Sequence, residues 1–92
     1  MRLLDELQRA CEVAWGLPEG GLKDRNRRIN YVYARMIFAY VARELGYPLA
    51  YIGKHLRRDH STVINALSKY EPELRTNAYF CEKLEEIYNA MS

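Results

Sequence analysis

The 92 residues are enough for one modest hydrophobic core and too few for two, and 49% hydrophobic with 28% charged residues is the composition of a folded globular chain, not a disordered one. The net charge of +2 is unevenly laid out: residues 1–22 sum to −2, residues 23–69 hold ten Lys/Arg against three acids for +7, and residues 70–92 sum to −3. A basic middle between acidic ends marks one polyanion-facing surface on an otherwise repelling body. Cys11 and Cys81 belong to no CxxC or Cys/His cluster, and no apolar run near the N-terminus has the length of a signal peptide or membrane span. A cytoplasmic chain is therefore expected, with no membrane, no metal and both cysteines packed in the core.

Leu3, Leu4, Leu7, Ala10, Cys11 and Ala14 recur at helical spacing, which predicts an amphipathic helix over residues 2–15 with Arg9 and Glu12 on its wet side. Gly16, Pro18, Gly20 and Gly21 stop it, and residues 22–28 are polar and basic, a loop by composition. A longer helix is predicted over 27–45, with Ile29, Tyr33, Met36 and Tyr40 on one stripe and Val32, Ile37 and Val41 widening it. Gly46 supplies a left-handed end, and Pro48 opens the next element. There Leu49, Ile52 and Leu56 fit a two-turn helix in which Gly53 lets a neighbour approach closely. After a break at 56–58, residues 59–70 are helical again with Val63, Ala66, Leu67 and Tyr70 inward, and Pro72 limits the continuation. Asn77 reads as the N-cap of a last helix that buries Phe80, Cys81, Leu84, Ile87, Tyr88 and Met91. With no alternating strand pattern and no repeat, the fold class is all-α. The expectation is a small five-helix bundle, one domain over residues 1–92, with Leu4, Leu7, Cys11, Met36, Tyr40, Ile52, Val63, Leu67, Leu84 and Ile87 in one core.

The two short helices 48–55 and 59–70, joined by a tight turn, match a helix-turn-helix, in which the second helix lies in the major groove of DNA. Ser61, Asn65 and Ser68 then form an outward polar stripe free of long charged side chains, which suits close approach to base edges. Lys54, Arg57 and Arg58 at the turn and Lys69 at the far end bracket that stripe with charge suited to phosphates. Asp59 is a good N-cap for the second helix, accepting from the backbone N–H of Ser61 or Thr62, and is equally suited to a cytosine amino group. A satisfied structural role is the usual reading of a lone histidine, but the place of His60 beside Arg58 at the mouth of the helix favours a base or phosphate contact. Asp59, His55, His60 and the cysteines form neither a nucleophile–base pair nor a metal box, so no catalytic residue and no enzyme activity are expected.

The run Ile52-Gly53-Lys54-His55-Leu56-Arg57-Arg58-Asp59-His60-Ser61-Thr62-Val63-Ile64-Asn65-Ala66, with Ala34-Arg35-Met36 and Tyr40-Val41-Ala42-Arg43-Glu44-Leu45 before it, resembles the C-terminal DNA-binding domain of the bacterial chromosomal replication initiator DnaA. The Arg-Asp-His-Ser-Thr-Val core is specific to that family, and Thr76-Asn77-Ala78-Tyr79-Phe80 fits the start of the family's last helix. The resemblance implies an all-helical, Trp-repressor-like domain that binds a short, asymmetric, A/T-rich box of double-stranded DNA. Asp59, His60, Ser61 and Thr62 would read bases, while Arg35, Arg58 and Lys69 would hold the backbone. Three departures accompany it. The turn before Arg58 is about one residue shorter than the common form and carries Arg57 where a glycine is frequent. Tyr33 stands where some members have a minor-groove arginine, a role that passes to Arg25, Arg27 or Arg28. No G-x-x-x-x-G-K-[ST] sequence occurs, so nothing in these residues cradles a nucleotide.

Asn65 joins the base-reading set, and Arg25, Arg27, Arg28, Lys54 and Arg57 join the backbone set. No cofactor is expected. The leading expectation is a stand-alone DNA-binding regulator of transcription or replication in a bacterium, phage or mobile element, monomeric on an asymmetric box or homodimeric on a palindrome. The alternative is an adaptor that keeps the fold and binds a replication or transcription protein through its acidic outer helices.

Overall fold

A computed structural model describes residues 3–92; the expected start of the first helix at residue 2 lies outside them. The helices are α1 (Leu3–Ala14), α2 (Ile29–Glu44), α3 (Leu49–Leu56), α4 (His60–Thr76) and α5 (Ala78–Met91), with one 3-10 turn at Gly21–Lys23, and there is no strand among the described residues. The chain is thus the five-helix, all-α structure its periodicity predicts.

Helix α2 is the axis of the bundle, packing against α1, α3 and α4. Its Ala34, Ile37, Phe38, Ala39 and Ala42 are fully buried, and the three alanines leave room for the neighbouring helices to close in. Leu4, Leu7 and Cys11 from α1, Ile52 and Leu56 from α3, Val63 and Tyr70 from α4, and Phe80 and Ile87 from α5 complete one hydrophobic cluster. Of the expected core, Tyr40, Leu67 and Leu84 are half-buried against this cluster and the rest are buried. Tyr40 stacks on Tyr70 with ring centroids 3.8 Å apart. On α5, Cys81, Leu84 and Met91 are likewise half-buried, while Tyr88 is exposed and its hydroxyl donates to the Glu44 carboxylate over 2.6 Å.

Besides the expected burial of Tyr88, three expectations are corrected by the structure. Glu12, assigned to the wet side of α1, is 1% exposed: its carboxylate accepts from Gln8 Nε2 at 2.8 Å, from the Leu22 backbone N–H at 3.2 Å and from Arg9 at 3.4 Å. The partner of its buried oxygen is ten residues away, in a segment read as polar loop but holding the fully buried Leu22. Ile29, placed on the core stripe of α2, sits at the first helical residue and is exposed. Pro72 does not end α4, which continues to Thr76. Tyr70 and Leu74, one turn apart, keep packing on the core across the proline, and the Thr76 hydroxyl donates to the Pro72 carbonyl over 2.8 Å.

Helices α1, α2 and α3 end in one shared motif. At α1 the Leu17 N–H returns to the Glu12 carbonyl and the Gly16 N–H to Val13; at α2 Tyr47 returns to Ala42 and Gly46 to Arg43; at α3 Arg58 returns to Gly53 and Arg57 to Lys54. The motif needs a left-handed residue, supplied by Gly16 (φ 69), Gly46 (φ 98) and, at α3, by Arg57 (φ 58). A residue with a Cβ is strained there by about 1–2 kcal/mol, of which the greater unfolded-state freedom of glycine takes back about half. Arg57→Gly is therefore expected to raise stability by about 0.5–1 kcal/mol, read as a higher urea midpoint at unchanged slope. A lowered midpoint would show that the Arg57 side chain stabilises the turn.

Candidate nucleic-acid interface

Helices α3 and α4 and the turn 57–59 form the expected helix-turn-helix. The turn folds back closely because residue 53 is glycine: a Cβ there would lie 2.9 Å from the Arg58 carbonyl oxygen and 3.4 Å from Val63 Cγ2. Beyond the turn, buried Val63 and Tyr70 and half-buried Ala66 and Leu67 fix the rotation of α4, leaving Ser61, Thr62, Asn65, Ser68 and Lys69 exposed. Asp59 takes the N-cap position in extended conformation, and its carbonyl accepts from the Thr62 and Val63 N–H groups at 3.0 and 3.3 Å. The expected side-chain cap is not made, so the carboxylate of this exposed residue faces solvent. His60 is exposed beside it.

A groove of about 750 Å³ runs between α4, the first half of α2 and the loop before it. Five cations line it, Arg25, Arg27, Arg35, Arg58 and Lys69, together with Thr62 and Asn65; Val32, Met36, Leu56, Val63 and Ala66 supply its apolar part, and no carboxylate lines it. Seven of the thirteen expected site residues meet in this groove. Arg28, Lys54, Arg57, Asp59, His60 and Ser61 do not line it; all six are exposed on the surface. Among the described residues the ion pairs are Arg9–Glu12, Arg75–Glu71 and Lys83–Glu86, none of which involves a cation of residues 23–69. The positive charge of the middle segment is thus not neutralised within the fold.

The loop before α2 is built by side-chain-to-backbone bonds. Asp24 Oδ1 accepts from the Asn26 N–H at 3.0 Å and Asn26 Oδ1 from the Arg28 N–H at 2.9 Å, two successive Asx turns. Arg35 donates through Nη1 to the Asp24 carbonyl at 2.9 Å and through Nη2 to the Asn26 carbonyl at 2.7 Å. Arg58 reaches the same Asp24 carbonyl with Nη2 at 2.6 Å, while its Nη1 donates to the carbonyls of Leu56 and Arg57 at 3.1 and 3.4 Å. Burial, and next the neighbouring Arg58 charge, hold the Arg35 guanidinium below its ordinary pKa. The bonds from Arg35 and Arg58 to the loop were not visible in the sequence, because their acceptors are the backbone carbonyls of Asp24 and Asn26, distant along the chain.

Reading by residue type also passed over Ile64, which is 45% exposed on the outer face of α4 among Ser61, Asn65 and Ser68. The periodicity does contain it: with 63, 66, 67 and 70 inward, 64 falls in the outward arc. A second, smaller hollow of about 220 Å³, lined by Leu3, Leu4, Asp5, Tyr47, Tyr51 and His55, contains none of the candidate site residues.

A family described as the bacterial dnaA protein helix-turn-helix matches residues 4–69, spanning α1 through the polar face of α4. The chain is 36% identical over 66 residues to the chromosomal replication initiator protein DnaA of Thermoanaerobacter sp. (strain X514), covering 71% of this chain and 15% of that protein. It is 30% identical over 94 residues to the chromosomal replication initiator protein DnaA of Kosmotoga olearia, covering 100% of this chain and 21% of that protein. The chain thus spans about a fifth or less of the length of these curated relatives. By the match over 4–69, on a fold whose groove is assembled from those same residues, the chain belongs to the bacterial DnaA helix-turn-helix family.

Proposed function

We propose that this chain binds double-stranded DNA in a sequence-specific way, laying α4 in the major groove, and acts from the cytoplasm as a regulator of replication or transcription. The observation that carries the reading is the groove beside α4, walled by five cations and no carboxylate, next to a helix face of short polar side chains. Asp59, His60, Ser61, Thr62 and Asn65 read base edges. Ile64 adds an apolar contact of the kind that suits a thymine methyl group. Arg25, Arg27, Arg28, Lys54, Arg57 and Lys69 meet phosphates on either side, and Arg35 and Arg58 add their charge to the groove wall. The unoccupied Asp59 carboxylate supports its base-reading role, since a carboxylate free of capping can accept from a cytosine amino group.

Selection from a random duplex pool tests the reading. A short, asymmetric, A/T-rich box is the expected product, a palindrome would point to a dimer, and the absence of enrichment would end the sequence-specific claim. Within the selected box, Thr62→Ala and His60→Ala are expected to lower the preference over random duplex by about 1–3 kcal/mol while leaving random-duplex binding nearly unchanged, because base contacts specify and phosphate contacts do not. Equal losses on both duplexes in a competition titration would remove these residues from the base-reading set.

A further inference from the structure

We propose that Arg58 and Arg35 are positioning residues, whose guanidinium groups lock the loop carrying Arg25, Arg27 and Arg28 to the turn of the helix-turn-helix, so that loop and recognition helix meet the duplex as one rigid unit. The proposal rests on the DNA-binding reading above and departs from the expectation that these two arginines serve as phosphate contacts.

The geometry has two parts. Arg58 bridges segments 34 residues apart: Nη1 holds the Leu56 and Arg57 carbonyls, closing the last turn of α3, and Nη2 holds the Asp24 carbonyl at 2.6 Å. Arg35, from α2, holds that same carbonyl at 2.9 Å and the Asn26 carbonyl at 2.7 Å. Two guanidiniums therefore converge on one backbone oxygen of the loop. Among the described residues the Asp24 carboxylate forms no ion pair with either guanidinium, and its Oδ1 accepts from the Asn26 N–H. The tie is made of directed hydrogen bonds to carbonyls, not of an ion pair, and its loop-side acceptors stand immediately before and after Arg25.

A planar, five-donor fork can hold carbonyls in two directions at once, whereas the ammonium of lysine is a compact point charge on a flexible stem. Lysine at position 58 keeps the charge and loses the bridge, which separates positioning from simple phosphate attraction. The consequence for recognition follows from preorganisation: a duplex presents its phosphates and grooves at fixed offsets, so a loop already held in register avoids an ordering cost when three arginines dock together. Arg57 and Arg58 together account for how the short turn works, because Arg57 in left-handed conformation turns the chain so that Arg58 returns to α3 through its N–H while its side chain extends to the loop.

The test compares the full chain with Arg58→Lys, Arg58→Ala, Arg35→Lys and, as a control that removes charge without touching the tie, Lys54→Ala. Two readouts are used: the rate at which trypsin cuts after Arg25, Arg27 and Arg28, located by mass spectrometry, and the motif each variant enriches from a random duplex pool. Arg58→Lys is expected to behave like Arg58→Ala. Cleavage in the loop rises, affinity for the wild-type box falls roughly 10-fold or more, and the motif keeps the bases under α4 while losing information beside them. Lys54→Ala, which removes one phosphate contact, is expected to weaken binding to all duplexes alike while keeping the wild-type motif and cleavage rate. Wild-type cleavage and motif in Arg58→Lys would overturn the proposal, as would faster loop cleavage with an unchanged motif. If Arg58→Lys does not fold, by its circular dichroism, Arg35→Lys decides by the same criteria, since it leaves the turn's own bonds in place. Failure of the wild type to enrich any sequence would overturn the DNA reading and the coupling together; a wild-type box with an indifferent Arg58→Lys would overturn the coupling alone.

Discussion

Phe38→Ala is expected to lower stability by about 3–5 kcal/mol, against a total of roughly 5–14 kcal/mol for a chain of this length. Phe38 is fully buried on α2, and its ring lies 5.2 Å from that of His55 on α3 at an interplanar angle of 20°. Removing it opens a ring-sized void at the centre of the bundle and withdraws the surface on which His55 rests. His55 is tied further: Gln8 donates through Nε2 to the buried Glu12, which leaves Gln8 Oε1 facing His55 Nε2 at 2.8 Å, so the imidazole carries its proton on Nε2 and donates it. The void therefore loosens a link that runs from α2 through α3 to α1. Equilibrium unfolding in urea checks the value, and Phe38→Leu is expected to be much milder because most of the volume is kept. A loss below about 1 kcal/mol for Phe38→Ala would mean that the site collapses freely and that the α2–α3 contact does not depend on the ring.

How far these features were legible in the sequence depends on where their partners lie. The rotation of α4 was readable, since apolar spacing at 63, 66, 67 and 70 turns the neighbouring polar positions outward, and the same spacing gives the outward Ile64. Asn77 was readable as an N-cap from residue type, and its Oδ1 accepts from the Phe80 N–H at 3.1 Å. Glu12 was not readable, because a carboxylate at a wet-face position is buried only by a turn arriving ten residues later with a free N–H. Pro72 misled because propensity is local, whereas the packing of Tyr70 and Leu74 on the core is not. Asp59 was readable as the cap position, and its carbonyl does start the helix, but its side chain makes no capping bond. Arg35 and Arg58 show the sharpest limit. Residue type announced their charge, but their acceptors are carbonyls of Asp24, Asn26, Leu56 and Arg57, which carry no signature in the sequence.

Duplex binding is expected to weaken about a thousandfold between 50 and 200 mM salt, the largest single effect foreseen for this chain. Arg25, Arg27, Arg28, Lys54, Arg57 and Lys69 are exposed, and none forms an ion pair among the described residues. Each is free to neutralise a phosphate and release its condensed counterion. Six such contacts give a slope of log K against log salt of about −5, and a fourfold rise in salt then costs about three powers of ten. Arg27→Ala and Lys69→Ala are each expected to make the slope shallower by about one unit and to weaken cognate and random duplexes alike. The acidic outer segments sharpen the effect, since residues 1–22 and 70–92 repel the polyanion and leave the basic face as the favoured approach. Titration of one duplex at several salt concentrations supplies the slope. An adaptor that binds protein through its acidic helices has no need of this face toward DNA, and its duplex binding would be weak at physiological salt. A flat dependence in the wild type would therefore end the DNA-binding reading, whatever the groove beside α4 suggests.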